Sequence, residues 1–233
     1  MKLNSLNYSF QFDDITAYII TLKNHPISEK LSLRCQESCK KINQKFEIWD
    51  AFDGTSGEIF YPEHAINNGY YKWLKLMNDR LTITEIATIL SHFSLWAKCV
   101  EDDKPIVILE HDAVMVKPYL KHPGFNQINY LGNLQQAQMG MFPDFPPHAC
   151  ACKNNHFICR AHAYAIDPAI ARQLVAHVIR TGLCAPADML IRVDLFNVVQ
   201  TDFYAFDLPD ETTITGRDEN WQEHAKEIFS TFL

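Results

Sequence analysis

Pro105-Ile-Val-Ile-Leu109, running straight into Glu110-His111-Asp112, is the stretch on which the fold turns. Four consecutive apolar, mostly β-branched residues read as a strand buried on both faces, the kind a mostly parallel sheet contains. The three side chains that follow are polar and able to hold a metal. In open α/β sheets ligands meet the carboxyl ends of the strands, so chemistry is expected at the Leu109-Glu110 junction.

Working upstream, Thr82-Ile-Thr-Glu85 has the spacing of a capping box, and Ile86, Ile89, Leu90, Phe93 and Ala97 form one stripe behind it. A helix from about 83 to 100 is predicted. Ser91 and His92 lie within it, and a histidine there is ordinarily a hydrogen-bonded structural residue unless it sits beneath the acidic motif. Earlier still, Ile15 to Leu22 reads as the first core strand. A helix opens at Pro26, with Ile27, Leu31, Cys35 and Cys39 on one face. Cys35 and Cys39 are read as core packing. Phe46 to Trp49 is a short strand leading to the Asp53-Gly54 turn, and residues 55 to 80 form an excursion without clear periodicity.

Downstream, Ile128 to Leu131 and Phe157 to Ile166 read as strands, separated by a loop rich in Pro, Gly, Cys and His of the length that usually lines sites. Asp167-Pro168 starts a helix with Ile170, Leu174, Val175, Val178 and Ile179 on its apolar face and Gly182 at its C-terminal cap. A strand near Val198 to Phe206 and a closing amphipathic helix at about 218 to 232 complete the chain. Strands alternating with helices define an α/β protein with a mostly parallel central sheet flanked by helices, in one domain over residues 1 to 233.

At 233 residues and 47% apolar, the chain can bury one substantial core. A formal charge of −7 with scattered Lys and Arg argues against a nucleic-acid partner. No leader pattern and no apolar run of about eighteen residues is present, so neither a signal peptide nor a transmembrane segment is expected. Seven cysteines, an odd number, suit a reducing compartment better than a disulfide framework. A cytoplasmic protein is predicted, with peripheral membrane contact left open.

Glu110 and Asp112 can offer oxygen ligands to Mg²⁺ or Mn²⁺, which would bridge a nucleotide diphosphate and neutralise the leaving group; the plainer reading is a solvated acidic turn. Asp188 can serve as a general base toward a hydroxyl, or simply cap the helix that holds Leu190 and Ile191. His148, Cys150, Cys152, His156, Cys159 and His162 fall within fifteen residues and suggest zinc, although their spacing lacks two paired ligand knuckles.

Several stretches taken in order resemble glycosyltransferase family 25, which includes bacterial lipooligosaccharide galactosyltransferases and collagen galactosyltransferases. They are Tyr18-Ile-Ile-Thr-Leu22, Asp50-Ala-Phe-Asp-Gly54, Leu81-Thr-Ile-Thr-Glu85, Leu90-Ser-His92 with Trp96, Ile108-Leu-Glu-His-Asp112, His162-Ala-Tyr-Ala-Ile166 with Pro168 and Ala171, and Pro186-Ala-Asp188. The resemblance implies a GT-A-like fold and metal-dependent, inverting transfer of a hexose, galactose or glucose, from a UDP-sugar to a saccharide or glycoconjugate acceptor. It implies a donor site made of Thr21, Leu22, Lys30, Asp53, Gly54, Ser91, His92, Glu110, His111 and Asp112. Glu110 and Asp112 would hold Mn²⁺ or Mg²⁺, Glu110 and Asp188 would act in catalysis, and His162 and Tyr164 would line the acceptor side.

The chain departs from the family pattern at two places. His111 stands in the middle of a motif that usually reads Glu-Asp-Asp. After the first strand, Lys30 and Arg34 are only partial substitutes for arginines that contact the nucleotide. A binding protein of the same fold without turnover, and a zinc-stabilised interaction module built on residues 148 to 162, are the alternative readings.

Overall fold

The computed structural model describes residues 15–120, 126–132, 157, 158 and 160–207. In chain order the elements are β1 (Ala17–Thr21), α1 (Pro26–Lys41), β2 (Phe46–Asp50), α2 (Glu63–Asn67), a 3₁₀ turn (Gly69–Trp73), α3 (Ile83–Asp102), β3 (Ile106–Glu110), β4 (Ala113–Met115), β5 (Ile128–Tyr130), β6 (Ala163–Ile166), α4 (Pro168–Thr181), α5 (Ala187–Leu190), β7 (Val198–Val199) and β8 (Ala205–Asp207). Six strands form one sheet in the order β2-β1-β3-β6-β5-β7, and β4 pairs with β8 in a small antiparallel ribbon. β6 runs antiparallel to both its neighbours, and every other pairing in the main sheet is parallel. This is the mostly parallel α/β architecture, of GT-A-like type, that the sequence predicts.

Local sequence sets the helix ends that matter for the site. Pro26 occupies the first turn of α1, where its missing N–H costs nothing, and the His25 ring accepts from the Ser28 N–H. The capping box of α3 is complete: Thr82 Oγ1 accepts from Glu85 N at 3.2 Å while Glu85 Oε2 accepts from Thr82 N at 3.0 Å. Asp167 caps α4 through the Ala169 N–H at 2.8 Å, and Gly182 ends that helix.

Strand alternation divides the interior into two cores. Tyr18, Ile20, Ile106, Ile108, Tyr164 and Ile166 point to one face and pack with α3 and α4 through Ile89, Phe93, Trp96, Leu174 and Val178. Ala17, Ile19, Val107, Leu109, Ala163 and Ala165 point to the other, against Cys35 and Cys39 of α1 and against Ala113, Met115 and Ala205 of the ribbon. The sheet is thus the middle of three layers, buried on both sides as its unbroken apolar strands require.

Several expectations need correction. The strand expected over Phe157 to Ile166 is confined to β6: Phe157 makes an isolated bridge to Arg192, and Arg160 adopts a left-handed φ of 62°, which breaks an extended run. The strand near 198 to 206 is two short strands in different sheets, β7 and β8. Residues 55 to 80 hold α2 and the 3₁₀ turn, and their end is laced to the far side by the Leu76–Leu183 bridge. Ile27 lies off the buried face of α1 and is 44% exposed. Pro186, not Asp188, is the N-cap of α5; Asp188 sits in that helix's first turn. The closing helix at 218 to 232, the loop at 133 to 156, and His148, Cys150, Cys152, His156 and Cys159 lie outside the described residues.

Candidate active site

The period of a strand decides how the acidic motif is presented. Continuing the alternation of β3, Glu110 follows Ile106 and Ile108 onto the α3 face, and His111 follows Val107 and Leu109 onto the α1 face. Their observed contacts agree. His92 on α3 meets Glu110, and Ser28 on α1 meets His111.

Between these two sides opens a cleft of about 660 Å³, reckoned out to its mouth, at the carboxyl ends of β1, β2 and β3. Leu22, Gly54, Ser91, His92, Glu110, His111 and Asp112 line it, with Thr55, Thr84, Ala87 and Thr88 from the 53–55 turn and the start of α3. A cleft at this end of the sheet, with few polar groups converging in it, is where ligands of such folds bind.

The α3 wall is tightly bonded. His92 is fully buried; its Nε2 lies 3.0 Å from Glu110 Oε1 and its Nδ1 2.8 Å from the Tyr164 hydroxyl, which also accepts from Trp96 Nε1 at 2.7 Å. One residue earlier, Ser91 Oγ donates to the Ala87 carbonyl at 2.8 Å and accepts from Phe52 N at 2.9 Å, tying the segment just after β2 to the helix. Gly54 passes so close over the helix start that a Cβ there would stand 2.7 Å from the Ile83 carbonyl oxygen, so a glycine is needed on steric grounds alone.

The α1 wall is built differently. Ser28, fully buried, accepts from Leu22 N at 2.9 Å and lies 3.2 Å from His111 Nδ1. Arg34, in the third turn of the same helix, influences His111 electrostatically, and its Nε and Nη2 are buried with no hydrogen-bond partner among the described residues. Burial lowers the pKa of His111, with the charges of His25 and Arg34 adding to it and Glu110 opposing; the ring is therefore neutral near pH 7. Burial alone would raise the pKa of Glu110. The hydrogen bond from His92 is the main influence against that, and Glu110 is held below its usual value.

Glu110 and Asp112 together bring two carboxylates to the cleft, hard oxygen donors of the type Mg²⁺ and Mn²⁺ take alongside water and phosphate oxygens. Among the described residues no group of three or more His, Cys, Asp or Glu side chains forms a ready-made metal cage. The donor set fits a cation shared with a bound phosphate.

Other expected residues lie elsewhere. Thr21 is buried and turned toward α1, its hydroxyl bonded to Ile19 O and Ser32. Lys30 is exposed on α1, and Asp53 accepts from the backbone and hydroxyl of Thr55; neither lines the cleft. Tyr164 is fully buried behind His92 and His162 is 2% exposed, its ring edge against Tyr130, so neither forms an acceptor surface on the cleft. Asp188 is half-buried and accepts from Met189 N at 2.9 Å and, more loosely, from Arg160 N at 3.4 Å; it too is outside the cleft lining.

The sequence reading missed Ser28, Thr55, Thr84 and Thr88. Thr84, Thr88 and Ser91 recur at helical spacing on an otherwise apolar, buried helix, and that polar stripe was a readable sign of a face turned to a site.

The mostly parallel sheet with a single reversed strand, flanked by helices and with a cleft at its carboxyl end, is consistent with a nucleotide-sugar transferase-like fold. The sequence matches the model of glycosyltransferase family 25 (LPS biosynthesis protein) over residues 14–191, and the chain belongs to that family. No curated protein matches it.

Proposed function

We propose that the protein transfers a hexose from a UDP-sugar to a hydroxyl of a saccharide or glycoconjugate acceptor, with inversion at the anomeric carbon. The observation that carries this reading is the convergence in one cleft of Leu22, Gly54, Ser91, His92, Glu110, His111 and Asp112, seven of the ten residues that the family resemblance assigns to the donor. The nucleotide lies along the ends of β1 and β2, over Gly54 and the start of α3, and its diphosphate meets the Glu110-His111-Asp112 turn. Asp112 and Glu110 would hold a divalent cation, which would supply positive charge to stabilise the departing UDP. Two buried nitrogens of Arg34, near His111 and without a hydrogen-bond partner among the described residues, are suited to pair with a phosphate.

In the transfer itself, the acceptor oxygen attacks the anomeric carbon from the face opposite the nucleotide. The bond from that carbon to the β-phosphate oxygen breaks, and the hydroxyl proton passes to a carboxylate base. Asp188 is our candidate for that base. The neutral His111, in place of a carboxylate, reduces the negative charge that the diphosphate must approach.

The deciding experiment is thermal stability with UDP, GDP or CMP, each with and without Mn²⁺. A rise in melting temperature with UDP and Mn²⁺ together, and not with the other pairs, is expected, because a ligand that binds only the folded state stabilises it by mass action. Indifference to every nucleotide would sink the reading.

A further inference from the structure

The bonds around His92 have a polarity that can be worked out from the donors and acceptors alone. Trp96 Nε1 carries a hydrogen and can only donate; its partner at 2.7 Å is the Tyr164 oxygen. At the other end, His92 Nε2 lies 3.0 Å from a carboxylate oxygen of Glu110, a natural acceptor for a ring hydrogen. Between them Tyr164 is fully buried, and its hydroxyl hydrogen has one acceptor among the described residues, His92 Nδ1 at 2.8 Å. That nitrogen must therefore be bare. Hydrogens point one way along the whole chain, from Trp96 to Tyr164 to His92 to Glu110.

We infer that Tyr164, oriented by Trp96, is a positioning residue that locks His92 as the neutral Nε2–H tautomer and so fixes one oxygen of Glu110, leaving the rest of that carboxylate at the cleft. The functional half of this inference rests on the reading of Glu110 as a donor-site carboxylate. The architecture suits the role. Tyr164 sits on β6 directly across from Ile108 of β3, its ring nearly parallel to that of His92 at 16° and 5.8 Å between centroids. Loss of the hydroxyl strands two buried groups at once, His92 Nδ1 and Trp96 Nε1. Glu110 itself is 29% exposed on its side chain, so a ligand in the cleft reaches what the buried chain orients. The logic is that of an outer partner which sets the tautomer and aim of a site histidine.

The test has two arms, both on the full chain. In the first, long-range ¹H–¹⁵N correlation spectra of the imidazole nitrogens, assigned with His92→Gln, report where the His92 proton resides. Wild type is expected to carry it on Nε2 with a bare, hydrogen-bonded Nδ1, and a proton on Nδ1 overturns the inference. Tyr164→Phe is expected to remove the hydrogen-bond signature from Nδ1 and release the tautomer. This arm needs no activity, so it stands even where the proposed transfer reaction fails.

In the second arm, Tyr164→Phe is expected to lower kcat/KM for the donor about tenfold, the usual scale for losing such an outer partner, while the thermal transition stays cooperative. Trp96→Phe, which leaves the Tyr164–His92 contact in place, is expected to fall between the two. Unchanged kcat/KM in a folded Tyr164→Phe protein overturns the positioning role. If that variant does not fold, the wild-type spectrum still decides the tautomer.

Discussion

Glu110 and His111 are adjacent in sequence and part company in space, one leaning on α3 and the other on α1. On the α3 side the carboxylate ends a chain of hydrogen bonds of 2.7 to 3.0 Å whose inner members are fully buried. On the α1 side the support among the described residues is a 3.2 Å contact from Ser28, and Arg34 has two buried donors without a partner among those residues. Buried polar groups are ordinarily satisfied, because leaving one bare costs about 1–3 kcal/mol. Among the described residues, one wall is therefore satisfied within the protein, and the other keeps buried donors that the proposed donor phosphate would pair with. On the proposed function, the α3 wall is the fixed part of the site and the α1 wall the part that answers to the donor.

The strongest way to break that comparison is at the carboxylates. Asp112→Asn and Glu110→Ala should each reduce sugar transfer by about 100-fold or more, the scale of losing one electrostatic group aimed at developing charge. The two should differ in stability. Glu110→Ala also strips His92 Nε2 of its partner and should cost about 1–3 kcal/mol in denaturant unfolding, whereas Asp112→Asn should not. Equal stability of the two variants would argue that the α3 wall is no more committed than the other.

Next in size is Ser28→Ala, which probes the α1 wall. It leaves the Leu22 N–H without its acceptor and His111 Nδ1 without its neighbour, so a loss of about 1–3 kcal/mol is expected. Transfer should suffer through a weaker donor KM with kcat little changed, since the α3 network stays intact. A fall confined to kcat would reverse the roles given to the two walls. Arg34→Gln sharpens the same point: it should weaken UDP binding and leave binding of uridine, which has no phosphate, unchanged by calorimetry.

Which parts of this were legible in the sequence follows from the range of the interactions. The capping box of α3, Pro26 and the Asp167-Pro168 start are local, and each falls within a residue or two of the observed helix. The alternation along β3 was also readable and already sends Glu110 and His111 to opposite faces. What it could not supply was the occupant of each face. His92 and Glu110 are 18 residues apart, Ser28 and His111 are 83 apart, and both pairings depend on how the helices dock. Tyr164 was expected at an acceptor surface because its segment resembles the family's, yet β6 inserts antiparallel next to β3 and carries the ring into the core. The left-handed Arg160, which shortens that strand, is not a glycine and gives no sign in the sequence. Asp188 is in the first turn of a four-residue helix, away from the cleft lining, and its assignment as base rests on the family resemblance and awaits a variant such as Asp188→Asn.

The smallest effect on transfer is expected at two glycines whose contrast separates site from scaffold. At Gly54 an added Cβ would stand 2.7 Å from Ile83 O and 3.2 Å from Ala87 Cβ, in the turn that roofs the cleft. Gly54→Ala must push that turn outward, at a cost of about 1–3 kcal/mol, and some loss of UDP binding should accompany it. Gly182 has the backbone angles φ 79° and ψ −177°, a region open essentially to glycine, and a Cβ there would meet Met77 Cγ at 2.2 Å and Lys75 O at 2.7 Å. Gly182→Ala should therefore destabilise at least as much, by about 1–3 kcal/mol, through a strained cap and a displaced 75–77 strap. That strap bonds to Leu183 and not to the cleft, so below the melting temperature the donor KM should match wild type. A donor KM that rises in Gly182→Ala as much as in Gly54→Ala would mean that the 55–80 excursion is coupled to the cleft as a whole, and the boundary drawn at the α3 wall would have to move outward to include it.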